Sequence, residues 1–158
     1  MADLLVDLDT AKLELRVTHD EEDTQLERKL LAAQEQAELF LGRALFSDQA
    51  ALDAALLGAP DMLNAAAVAY DDALTAAAGV ADCRVRELQE AGALTAYREA
   101  VATWERTARG MVVNDSVETA ILLIAASLWE HRGDEDAVAG IPKAAERFLW
   151  PYRTGLGV

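Results

Sequence analysis

Apolar residues recur along this chain at steps of three and four, with polar residues filling the gaps. That period belongs to helices that bury one face. The most apolar stretch is AILLIAASLWEHR, Ala120–Arg132, where nine of the first ten residues are apolar before Trp129-Glu130-His131-Arg132 turns polar. Val117, Ile121, Ile124 and Leu128 form its stripe, and Ala120, Leu123 and Ala125 widen that stripe to most of the circumference. A helix apolar nearly all round is buried on most sides. It is predicted to be a central helix or one completed by another subunit, with Asp115 at its N-cap and Glu118 at N3.

The first third of the chain predicts two helices. Residues 7–16 form a short one, capped by Asp7 or Asp9, with Leu13 and Val17 one turn apart. Thr18 and Glu21 offer a capping box for the second helix, which would place Asp20, Glu21, Glu22 and Asp23 in its first turn, where negative charge suits the helix dipole. Leu26, Leu30, Ala33, Ala37 and Phe40 make a narrow stripe on it, Leu31 and Leu41 widen that stripe, and Gly42 ends it.

From Ser47 the character changes: 20 of the 67 residues from Ser47 to Val113 are alanine. Ser47 is predicted to cap a short helix ending at Gly58, and Pro60 to open another that stops at Gly79. Val85 and Leu88 belong to a third piece up to Gly92. Leu94, Tyr97, Val101 and Trp104 mark a fourth, ending near Gly110. The segment reads as a helical hairpin or a pair of broken long helices. After a solvated turn at Gly133-Asp134-Glu135-Asp136, Pro142 starts a last short helix whose Phe148, Leu149 and Trp150 face inward or toward a partner. Pro151 stops it, and Tyr152 to Val158 form a flexible tail.

Strand-like alternation is nearly absent, so the fold class is all-α. Composition narrows the picture further. Hydrophobic residues are 53% of the 158 but aromatics only 6%, so the core is made of small and aliphatic side chains. The net charge of −14 is spread along the chain, −6 over residues 1–46, −5 over 47–113 and −3 over 114–158. No cluster of Lys and Arg is present to displace counterions from a duplex. The longest apolar run is far short of the roughly 20 residues a membrane span needs. No basic segment followed by an apolar one opens the chain, and Cys83 stands alone, which together predict synthesis in a reducing cytosol.

Catalytic and metal-binding patterns are lacking. His19 and His131 have no second ligand at HExxH or ExxH spacing, and His131 reads as a partner for a helix C-terminus. Cys83 follows Asp82, which disfavours a thiolate. No glycine-rich loop joins a strand to a helix, and no GxSxG occurs. The chain is expected to be no enzyme and to hold no cofactor. Trp104 and Trp129 lie on core stripes. Trp150, in WPYR, is a candidate interface anchor, since aromatic and Arg side chains dominate the energetics of interfaces.

Several of these segments, in this order, resemble the head–tail connector proteins of tailed bacteriophages. Within LELRVTHDEEDTQLERKLLAAQEQAELFLGRAL, residues 13–45, the resemblance rests on Leu15-Arg16-Val17, the acidic step His19 to Asp23, and Gly42-Arg43-Ala44-Leu45. In the second half, AILLIAASLWEHR and ERFLWPYR (residues 146–153) are similar to the family's apolar helix and closing segment. The middle departs: the family commonly has a shorter segment there with some strand character, and Asn114-Asp115 stands where a Pro precedes the apolar helix.

The resemblance implies a small helical bundle of connector type with an Ala-rich helical insertion. The whole would be a single domain over 1–158, with core blocks 1–46 and 111–153, the insertion at 47–110 and a flexible tail at 154–158. It implies a structural virion protein, made in the bacterial cytoplasm and placed in the neck. There it forms a homo-oligomeric ring, usually of twelve copies, beneath the portal protein, and meets a stopper or tail-completion protein. DNA passes through the ring without specific binding, and no membrane is involved. Glu130, Arg132, Trp150, Tyr152 and Arg153 are the candidate subunit or portal contacts. The competing expectation is an acidic helical interaction protein, a DNA mimic or inhibitor made during infection.

Overall fold

The computed structural model describes residues 4–131 and 140–155. Its elements are α1 (Leu8–Leu15), α2 (Asp23–Leu41), β1 (Leu45–Phe46), α3 (Gln49–Ala78), α4 (Cys83–Ala108), β2 (Met111–Val112), α5 (Asp115–Glu130), α6 (Lys143–Leu149) and a 3-10 turn at Trp150–Tyr152. Among the described residues the fold is all-α apart from those two-residue strands. The chain divides into two compact units, residues 1–48 with 111–158, and residues 49–110.

In the first unit, α5 packs on α2 and α6, with α1 laid against both long helices. The α2 stripe buries Leu26, Leu30, Ala33, Ala37 and Leu41; α5 buries Val117, Ala120, Ile121, Ile124, Ala125 and Leu128; α6 adds Ala145 and Leu149. The apolar helix is central within this unit: its own chain supplies α1, α2 and α6 as neighbours. Burying one such Leu or Ile stabilises the fold by about 1.5–3 kcal/mol.

Two caps differ from the sequence reading. Asn114, not Asp115, caps α5: its Oδ1 accepts the N–H of Val117 at 3.1 Å. Asn114 is extended, with φ −117 and ψ 170, the backbone an N-cap needs. The Thr18 capping box does not form, because α2 begins only at Asp23. The Lys12 ammonium reaches Asp20 at 2.5 Å and Asp23 at 2.7 Å, which ties the turn before α2, and the first residue of α2, onto α1. Arg16, in the left-handed conformation with φ 56, ends α1 and reverses the chain toward this pair. Asp7 caps α1 as predicted, with Oδ2 accepting from the N–H of Thr10 at 3.4 Å. The buried residue of α1 is Ala11, while Leu13 is 82% exposed.

β1 and β2 pair in parallel, Leu45 with Met111 and Phe46 with Val112. Two residues are too few to show alternation, so this pair left no trace in the sequence pattern. It lies where the chain leaves the first unit and returns to it.

The second unit is a helical hairpin of two continuous helices, not four pieces. α3 runs 30 residues straight through Gly58 and Pro60. Proline removes one backbone donor and crowds the preceding turn, but the alanines around it are the best helix formers and carry the helix across. α4 likewise runs through Gly92, and Asp82 caps it with Oδ1 accepting from Arg84 and Val85. Leu52, Ala59, Leu63, Ala66, Tyr70 and Ala77 lie on one stripe of α3; Ala93, Tyr97, Ala100 and Trp104 lie on one stripe of α4. Tyr70 and Tyr97 stack across the seam with ring centroids 5.4 Å apart.

Candidate interaction surface

The candidate residues near the C-terminus gather on the end of α2. Gly42 terminates that helix with φ +68, and its N–H donates to the carbonyl of Glu38 at 2.9 Å. The last carbonyls of any helix lack intrahelical donors. Here a residue more than a hundred positions away supplies them. The N–H of Thr154 donates to Leu41 O at 2.8 Å. Its hydroxyl lies 2.9 Å from Leu41 O and 3.0 Å from Gly42 O, and its single proton can serve one of them at a time. A Cβ on residue 42 would sit 2.9 Å from that hydroxyl, so glycine is required by space as well as by backbone angle. Thr154, expected to open a free tail, is instead a clasp on α2.

The clasp fixes the residues before it. The Arg153 guanidinium lies over the Phe40 ring at 5.0 Å from its centroid and over the Trp150 ring at 5.7 Å. The two rings are tilted by 53° with centroids 6.4 Å apart. Each such cation–π contact at an exposed site is worth about 0.5–1 kcal/mol. Trp150 remains 53% exposed and Phe148 41%, whereas Leu149 between them is fully buried and anchors the segment. Tyr152 is half-buried against the core. Of Phe148, Leu149 and Trp150, only Leu149 therefore faces inward.

The other candidates stand apart from this cluster. Glu130 is exposed at the last turn of α5. His131 caps that helix, with Nδ1 3.0 Å from Ser127 O, the helix-end role read from the sequence. Arg132 lies outside the described residues. Phe40, Gly42 and Thr154 were not singled out as site residues. Phe40 sits on the apolar stripe of α2 and reads as core; Thr154 meets Leu41 only through the fold, and no local signal could have revealed it.

Lys12 and Asp20 shift each other's titration. Hydrogen bonds from Lys12 hold the Asp20 carboxyl below the usual carboxylate range, and Asp20 with Asp23 raise the Lys12 ammonium above its ordinary value. Among the described residues no group of three or more His, Cys, Asp or Glu is placed to hold a metal ion, and no helix is long and apolar enough to cross a membrane. Cys83 is exposed at the start of α4.

These features define a small all-helical protein whose distinctive surface is an exposed aromatic pair and a fixed guanidinium. Residues 5–77, 73 of the 158 residues, match the family model described as phage gp6-like head-tail connector protein. The match spans α1, α2 and β1 and continues through nearly all of α3. No curated protein and no solved structure matches the chain.

Proposed function

We propose that this protein is an adaptor of the phage neck: a ring of identical copies, twelve in the virion, seated beneath the portal, extending the DNA channel and receiving a stopper or tail-completion protein. The family match supports the connector role. The observation that carries the docking role is the cluster of Phe40, Trp150 and Arg153, next to the Thr154 bond to Leu41 O, with Trp150 left half in solvent. An aromatic anchor and an arginine pre-ordered in this way lose little freedom on binding. Trp150, Tyr152 and Arg153 are assigned to the portal or subunit contact, and Glu130 and Arg132 to contacts between subunits. DNA slides past a surface of net negative charge without being gripped.

Electron microscopy of particles from the phage that encodes this chain tests the reading. Labelled protein should appear as a ring at the narrow end of the portal. Trp150→Ala should leave the fold intact but yield filled heads without tails. Particles lacking the protein, or a Trp150→Ala phage with normal necks, would overturn it.

A further inference from the structure

The charge of the chain is unevenly presented. α3 carries four carboxylates, Asp53, Asp61, Asp71 and Asp72, and no Lys or Arg. Its outer stripe, opposite the seam with α4, runs Leu57, Asp61, Asn64, Val68 and Asp72, all exposed, with Leu57 at 82% and Val68 at 60%. By contrast, residues 140–155 hold Lys143, Arg147 and Arg153 against the single carboxylate of Glu146. Lys143, Arg147 and Phe148 share the outer arc of α6, opposite buried Ala145 and Leu149, and exposed Trp150 continues it. Asp61, Asp72, Lys143 and Arg147 form no ion pair among the described residues. One face is thus acidic with aliphatic knobs, the other basic with aromatic ones.

We infer that the basic–aromatic face of α6 and the 3-10 turn in one copy takes the outer face of α3 in a second copy. The contact joins two different surfaces, so it propagates head to tail, and a rotation between copies that closes makes it a ring. Complementary charge selects this partner, and the apolar residues interleaved with it supply the burial. A nucleic-acid partner for the same face is disfavoured, because three cations on a chain of net charge −14 release few counterions. The inference rests on the ring proposed above and names the surfaces that build it.

Sedimentation velocity of the full-length chain over a concentration series tests it with two charge-reversed variants, Lys143→Glu/Arg147→Glu and Asp61→Lys/Asp72→Lys. All four positions are exposed, and helicity by circular dichroism checks the fold. Wild-type protein should self-associate, more strongly at low salt. Each variant alone should associate at least about tenfold more weakly, because every contact now sets like charges together. An equal mixture should regain wild-type association, because each contact between unlike variants again joins opposite signs. A wild-type monomer throughout, a variant that associates normally, or a mixture that stays monomeric although both components are folded would overturn the inference. So would duplex DNA binding that is lost in Lys143→Glu/Arg147→Glu while self-association persists. None of these outcomes touches the neck reading, which stands or falls on the protein's presence in particles.

Discussion

In the first unit, the 16-residue helix α5 buries six of its side chains. In the second, α4 is 26 residues long and buries none completely. The first unit gathers pieces from both ends of the chain around one aliphatic core, so each helix there depends on neighbours distant in sequence. The hairpin depends on one seam between consecutive helices, where alanines allow close approach and Tyr70 stacks on Tyr97. Non-local burial makes the first unit the cooperative one. The second draws on helix propensity and a narrow stripe, and it presents its outer faces to whatever meets it.

Truncation gives the largest contrast. Ile124→Ala should destabilise the first unit by about 2–5 kcal/mol, the usual effect of emptying a core site. Tyr97→Ala at the hairpin seam should weaken only α3 and α4, by about 1–2 kcal/mol, since the side chain is half exposed to begin with. Amide hydrogen exchange, resolved helix by helix, would separate the two effects. If Ile124→Ala released α3 and α4 as strongly as α2 and α5, the units would not be independent in stability.

The clasp gives an intermediate effect confined to the first unit. Gly42→Ala meets both a left-handed backbone and the Thr154 hydroxyl and should cost about 1–3 kcal/mol. Thr154→Val loses only the hydroxyl bond, about 0.5–1.5 kcal/mol. Both should leave exchange in the hairpin unchanged and raise the mobility of Trp150 by fluorescence anisotropy. Equal anisotropy in all three proteins would mean that the clasp does not order the aromatic surface.

The smallest effect is that of pH on the Lys12 pair. Because Lys12 holds Asp20 below its ordinary range, the contribution of Asp20 is complete at and above that range and fades as pH falls through its lowered folded value. Lys12→Met should abolish this acid-side dependence and change stability at neutral pH only slightly, as exposed ion pairs do. Urea melts between neutral pH and the bottom of the acid range would reveal it. An unchanged acid limb in the variant would assign the dependence to other carboxylates.

Periodicity made the helices of both units legible, because a 3.6-residue stripe is a local property. It placed Leu26, Leu30, Ile121 and Ile124 inside correctly. Punctuation was less reliable. Gly58, Pro60 and Gly92 read as breaks, yet the long alanine-rich runs on either side outweigh one lost hydrogen bond or one flexible residue. The Thr18 capping box was a local pattern that the fold does not use: α2 begins only at Asp23, with Glu22 at its N-cap. The strand pair, the clasp and the stacking of Arg153 on Phe40 all join segments more than sixty residues apart, and nothing in either partner alone announces them. Trp150 is 53% exposed beside Pro151, Tyr152 and Arg153, a local setting visible in the sequence; its ring contact with Phe40 was not.

The parallel pairing of Leu45–Phe46 with Met111–Val112 has a consequence for how such a protein can change over time. Departure and re-entry of the polypeptide lie side by side, about one inter-strand spacing of roughly 4.8 Å apart. Whatever is spliced between those two points, a few residues or many, leaves the ends of the bundle where they were. The hairpin between them can therefore be lengthened, shortened or replaced without moving the paired strands, both of which belong to the first unit.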